Sequence, residues 1–176
     1  MAIVRENDIV YDHSFNEKTK RHKLNGTQTV LHCHHYMALY TQLAIDADET
    51  ELFTTSSRES FRGMLENYFK SYNVEDSIAA KVNTACQYYS LVGLGKMSVK
   101  FLGTESGSVE ISSSHIDEGW LRKWGKYDRP VNYISAGFIE ALFESVLNLP
   151  ANSFNAVEIE SIVMGAEKSL FKVTRR

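Results

Sequence analysis

The chain has 176 residues, 43% of them hydrophobic and 11% aromatic, enough for a single domain with a substantial core. Nineteen basic against twenty-two acidic residues give a formal charge of −3, which argues against any general attraction to nucleic acid or to an anionic membrane. No apolar run reaches the roughly 20 residues that a membrane span needs. Met1 to Asp8 lacks a signal-peptide layout, and Cys33 and Cys86 are too few for a disulfide framework, so a cytoplasmic protein is expected.

In chain order, Asp8 to Asp12 is a short β-like run, and the polar, basic stretch Glu17 to Lys23 reads as a solvated loop within an N-terminal extension over 1–26. Asn25-Gly26-Thr27 marks a turn and the start of a helix over 28–47, with Val30, His34, Met37, Thr41 and Ala44 down one face. Ser56 to Glu59 fits a capping box and predicts a second helix burying Phe61, Leu65, Tyr68 and Tyr72. A third helix after Asn73 carries Ile78, Val82, Ala85, Tyr89 and Val92, and ends at Gly93 and Gly95. These helices make up a helical half over 27–95.

The remainder, 96–176, reads as hairpin, helix, hairpin. Strands are predicted over 97–102 and 109–113, then a connection with a short helical piece over 117–124. A fourth long helix, 132–148, presents Ile134, Phe138, Ala141, Leu142 and Ser145 on one side, and strands follow near 156–163 and 169–174. Two hairpins forming one antiparallel sheet against about four helices make an α+β fold. No Rossmann or Walker fingerprint is present.

Three constellations carry chemical interest. In His32-Cys33-His34-His35-Tyr36, half of the histidines adjoin one of the two cysteines. Helical spacing turns Cys33 and His34 toward the Val30/Met37 face and leaves His32 and His35 together on a flank. A Cys beside a His is a candidate activated thiol, and histidines three apart are candidate metal ligands. The plainer alternative keeps His34 as a hydrogen-bonded core residue. The second constellation runs from Ser112 to Gly125, where His115 is a candidate acid or base oriented by Asp117 or Glu118, beside Trp120 and Trp124. Its alternative is a capped turn whose tryptophans cover a sheet edge. The third is the set Ser135, Glu158, Ser161 and Ser169, with the last three spaced by three and then eight residues.

Pro130 to Phe138, Glu158 to Gly165 and Ser169 to Val173, with Gly137 and Gly165, resemble the C-terminal half of 4-vinyl reductase domains, and the Ser-His…Gly-Trp segment extends the resemblance to about residue 112. In that family cysteines at the positions of Ser135, Ser161 and Ser169 hold a structural zinc together with a glutamate matching Glu158. Here all three are serines, whose hydroxyls are not ionised at neutral pH, so no structural zinc is expected and the frame reads as vestigial. The resemblance further implies binding of a small apolar or aromatic ligand between helices and sheet, and a homodimer. Relatives include phenol-sensing regulatory domains, proteins linked to tetrapyrrole metabolism, and subunits of vesicle-tethering complexes.

Three functions follow. The first is a small-molecule-binding protein, sensory or a metabolic accessory, with Cys33, His34, Tyr36, Tyr89, His115 and Trp120 around an apolar pocket. The second is a hydrolase or lyase acting on a small organic acid or heterocycle through Cys33 or His34 with His115. The third is an assembly subunit with a vestigial cavity. The sequence leaves open which cofactor, if any, is bound, whether heme or another tetrapyrrole included.

Overall fold

The structure, a computed structural model, describes residues 9–176; the signal-peptide reading and Asp8 lie outside them. Its hub is a helix buried on every side. Helix α5 (Tyr133–Val146) has all thirteen residues from Ile134 to Val146 buried, not one face as its sequence pattern predicts. It lies between α2 (Thr50–Ser71) and a four-stranded antiparallel sheet. That sheet comprises β4 (Gly95–Leu102), β5 (Ser106–Ser114), β6 (Phe154–Glu160) and β7 (Ser169–Arg175), in the order β4-β5-β7-β6. The expected hairpins therefore join through β5 and β7, as the α+β reading requires. Tyr89, Phe61 and Phe138 pack edge to face around α5, and Phe143 meets Phe154 from β6.

α2 has 22 residues and begins at Thr50, so the capping box expected at Ser56 to Glu59 lies inside the helix. The Ser57 hydroxyl is committed elsewhere: it donates to the Ile134 carbonyl of α5 at 2.8 Å. One turn along, at Gly137, α5 comes so close that an added Cβ would collide with the Thr54 carbonyl oxygen and approach Arg58 N at 2.8 Å. The crossing is stapled by Arg58 to Glu140 (3.3 Å) and Arg62 to Glu144 (3.2 Å), two i, i+4 pairs facing each other.

The N-terminal reading needs correction. β1 (His13–Asn16), β2 (Arg21–Leu24) and β3 (Thr27–Thr29) form a separate antiparallel sheet where a basic loop and a helix start are predicted. Asn25 and Gly26 both have positive φ (48° and 79°), the requirement of a tight hairpin turn between paired strands. The following helix, α1 (His34–Asp46), starts six residues later than expected. α3 (Ile78–Leu91) is capped by the Ser77 hydroxyl, and α4 (His115–Trp124) by that of Ser114.

The two glycines on helices that cross or face α5 should respond oppositely to alanine. Gly137→Ala is expected to lower the unfolding free energy by about 1–3 kcal/mol through overpacking. Gly63→Ala, on an open stretch of α2, should raise it by roughly 0.5–1 kcal/mol through the unfolded chain. Urea unfolding measures both.

Candidate functional site

β1–β3 roof a cavity of about 440 Å³ over α1, α2 and the segment joining α3 to β4. Its walls are apolar: Leu24, Met37, Phe61, Met64, Leu91 and Leu94. Its polar groups are concentrated in three imidazoles, His13, His32 and His115. Each has a structural cause. The amide of His115, first residue of α4, donates to the Leu94 carbonyl at 3.0 Å. On its neighbour strand, His13 meets His22 through Nε2 and Nδ1, 2.9 Å apart with the rings stacked. The other nitrogen of His13, Nδ1, is buried without a partner. Whether that nitrogen is a donor or an acceptor depends on the tautomer.

His34 lies beside this cavity and not on its wall. Its ring stands 6.1 Å from that of His115, centroid to centroid, because Gly119 on α4 lets the His34 backbone in. A Cβ at Gly119 would sit 2.7 Å from the His34 carbonyl oxygen. Partial burial, then the charges of His35, Arg122 and His115, hold the His34 imidazole below its ordinary pKa.

The remaining expected site residues are dispersed. Cys33 is exposed, with Sγ 3.8 Å from His35 Nδ1, and does not turn inward as predicted, because it precedes the helix in an extended conformation. Tyr36 is 52% exposed. Tyr89 is fully buried in the main core, its hydroxyl 2.8 Å from Ser135 Oγ. Trp120 is buried in a second apolar cluster with Ile116, Val131, Ile134 and Val163, and its indole nitrogen has no partner. Helical face arithmetic placed Cys33 on a helix that begins only after it, whereas Tyr36 is on α1 but on its exposed side. It also missed His13, although the period-2 burial of His22 and Leu24 opposite it is a strand signal.

The Ser135, Glu158, Ser161 and Ser169 set is buried throughout. Its centre is a residue that sequence reasoning passed over, Asn132. One amide nitrogen, Nδ2, donates to Asp117 Oδ2 and to Glu158 Oε1, both at 2.8 Å, while the Asn132 backbone N–H donates to Glu158 Oε2 at 3.2 Å. Asn132 Oδ1 accepts from the Ser114 hydroxyl at 2.9 Å. Ser169 Oγ adds longer contacts to Asp117 and Asn132 and accepts from Ile162 N at 3.2 Å. The group does not fit zinc. A neutral amide donor already bridges the two carboxylates, and the family's thiolates are replaced by hydroxyls. Asp117 Oδ1 and Ser161 Oγ are left without partners.

Burial raises the pKa of both Asp117 and Glu158, and the Asp117 charge pushes Glu158 up further. Burial likewise raises Tyr89, so its phenol stays neutral.

No protein-family model and no curated protein sequence matches the chain. Solved structures do. The phenol-responsive sensory domain of the transcription activator PoxR, crystallised with phenol, superposes with a TM-score of 0.76 at 12% identity, over 93% of this chain and 84% of that one. A vinyl-4-reductase family protein from Methanocaldococcus jannaschii gives 0.57 at 13% identity, over 84% of each chain. Subunit 3 of a trafficking protein particle complex from Naegleria fowleri, covalently bound to palmitic acid, gives 0.55 at 11%, over 81% of this chain and 95% of that one. The chain thus has the fold expected from its resemblance to 4-vinyl reductase domains. Among the described residues, no helix is long and apolar enough to cross a membrane.

The buried carboxylates set a pH test. An acid whose pKa is raised on folding binds more protons folded than unfolded, so its contribution is fully present below its unfolded value and lost as pH rises through the folded one. The window opens near pH 4, roughly the ordinary carboxyl value, and closes above the raised folded value. In a urea series across it, Glu158→Gln should make the fall of stability with rising pH shallower than in the wild type. His34, depressed and therefore opposite in sign, cancels in the difference. Parallel slopes would show that Glu158 titrates normally.

Proposed function

We propose that this chain is a cytoplasmic sensory or accessory protein that binds a small, largely apolar or aromatic molecule carrying a hydroxyl, in the cavity beneath β1–β3. The observation that carries this reading is a largely apolar hollow lined in part by an imidazole, that of His13. A hydroxyl suits it in either tautomer, because it both donates and accepts. A hollow of about 440 Å³ is within the range of small-ligand sites. The likeness in fold to a phenol-responsive sensory domain supports the same class of ligand.

Binding is favoured over turnover. The enzyme reading requires Cys33 to act with His34 or His115, and Cys33 and His34 are both outside the cavity lining, with Cys33 at the surface. His115, which does line the cavity, orients the ligand together with His13.

Calorimetric titration with phenol is expected to show one molecule per chain. His13→Phe keeps the ring and removes the nitrogen, at a cost of about 1 kcal/mol or roughly tenfold in affinity. His35→Ala should leave binding unchanged. Absence of binding by phenol and its alkyl-substituted analogues, or equal affinity in His13→Phe, would overturn the proposal.

A further inference from the structure

Residues alternate across a strand, so His13 and Phe15 of β1 share one face of the hairpin with His22 and Leu24 of β2. This is the face turned to the cavity, which His13 and Leu24 both line. His13 and His22 are diagonal neighbours on it, with Nε2 and Nδ1 2.9 Å apart and the ring planes within 18° of each other. Rings so nearly coplanar place one hydrogen between the two facing nitrogens. Such a link tolerates one added proton and not two. The first goes to an outer nitrogen, His13 Nδ1 or His22 Nε2, and makes the link a charge-assisted one. The second leaves a hydrogen on both facing nitrogens, which then meet donor to donor.

The surroundings do not offset the charge of a second proton. Tyr11 stands 6.3 Å from His13, and Phe15 4.7 Å from His22, ring to ring. On β3 the residue opposite His22 is Thr29. Among the described residues, no carboxylate lines the cavity: α2 contributes Phe61 and Met64, and the segment from α3 to β4 is uncharged. The other imidazoles of the cavity, His32 and His115, would add charge of the same sign. Between Tyr11 and Thr29 the acids are Asp12 and Glu17, against four cations, Lys18, Lys20, Arg21 and Lys23. Asp12 is exposed, and Glu17 is held by Lys20 at 2.9 Å.

We propose that His13 and His22 form a proton-operated latch in the cover of the cavity. With at most one added proton the pair ties β1 to β2 over the cavity. The second proton breaks the tie and sets two like charges together in an already cationic hairpin. The open cover then binds more protons than the closed one, so the closed form loses ground as pH falls. Imidazole is the side chain that changes charge between pH 5 and 8, which sets the range of the switch. That an opened cover releases the bound molecule rests on the ligand reading above.

Hydrogen exchange of the ligand-free chain, read by mass spectrometry and corrected for the intrinsic effect of pH, tests the latch apart from any ligand. Between about pH 7.5 and pH 5, protection of residues 13–24 is expected to fall by at least about tenfold, while β4 and β5 keep theirs. His22→Asn puts an amide that donates or accepts, and never charges, in place of Nδ1, so its fall should stay under about twofold. His32→Asn, on the cavity wall but outside the pair, should fall as the wild type does. If His22→Asn leaves 13–24 unprotected already at pH 7.5, imidazole nitrogen NMR of the wild type decides, because protection must fall with the second proton that this pair takes up. Failure of phenol to bind at pH 7.5 would strike the ligand reading and leave the latch standing. Constant protection in the wild type overturns the latch, as does an equal fall in β4 and β5. So does a full fall in His22→Asn, a fall abolished in His32→Asn, or one that tracks another histidine.

Discussion

The crossing of α2 over α5 is the constraint on which the rest of the molecule depends. It brings two backbones together at Gly137 and commits four charged side chains to each other in the interior. Buried ion pairs are poor stabilisers by themselves, because desolvation offsets attraction. These carry a further duty. Glu140 Oε1 accepts from Ala156 N, and Glu144 Oε1 from Ser153 N, both at 3.0 Å. The same carboxylates that face the arginines of α2 thus hold the start of β6, and through it the sheet edge. A hydrophobic pair at either position could fill the crossing but could not fix the strand.

The polar seam at the start of α5 follows the same logic. Where relatives are expected to draw a helix and a hairpin together with a metal, here the Asn132 amide does so between Asp117 of α4 and Glu158 of β6. An amide has two N–H groups and no net charge, so it cannot neutralise two carboxylates as a divalent cation would. Burial of the two carboxylates, and the Asp117 charge beside Glu158, accordingly raise the affinity of both acids for protons.

Legibility in the sequence followed the range of the interaction. β4 to β7, α3 and α5 were readable because their turns and caps are local: Ser77, Gly165 and the alternating strands sit within a few residues of what they control. The resemblance also picked out Ser135, Glu158, Ser161 and Ser169 as a set, and all four are buried. What escaped was non-local. Ser56 to Glu59 has the local form of a capping box, yet it lies inside α2, where the Ser57 hydroxyl bonds a carbonyl 77 residues away. Asn25-Gly26 was recognised as a turn, yet whether a helix or a strand follows is decided by pairing with β2. That single misassignment moved the start of α1 and with it the orientation of Cys33. His115 was identified because it caps a strand end, whereas His13 needed a sheet that the basic stretch disguised.

The cavity follows from this division between a firmly held centre and a lightly held cover. α2, α5 and the four-stranded sheet share one core, in which Tyr89, Phe138 and Phe143 are fully buried. β1–β3 meet that core through fewer bonds. The Tyr68 hydroxyl accepts from Val10 N at 2.8 Å, and Asn25 ties the hairpin turn to Val10 and Asp12. α1, thirteen residues long and without a side-chain cap, is marginal as an isolated helix and depends on its packing against α4 at Gly119. The cavity beneath β1–β3 therefore lies between cover and centre, where opening breaks few contacts.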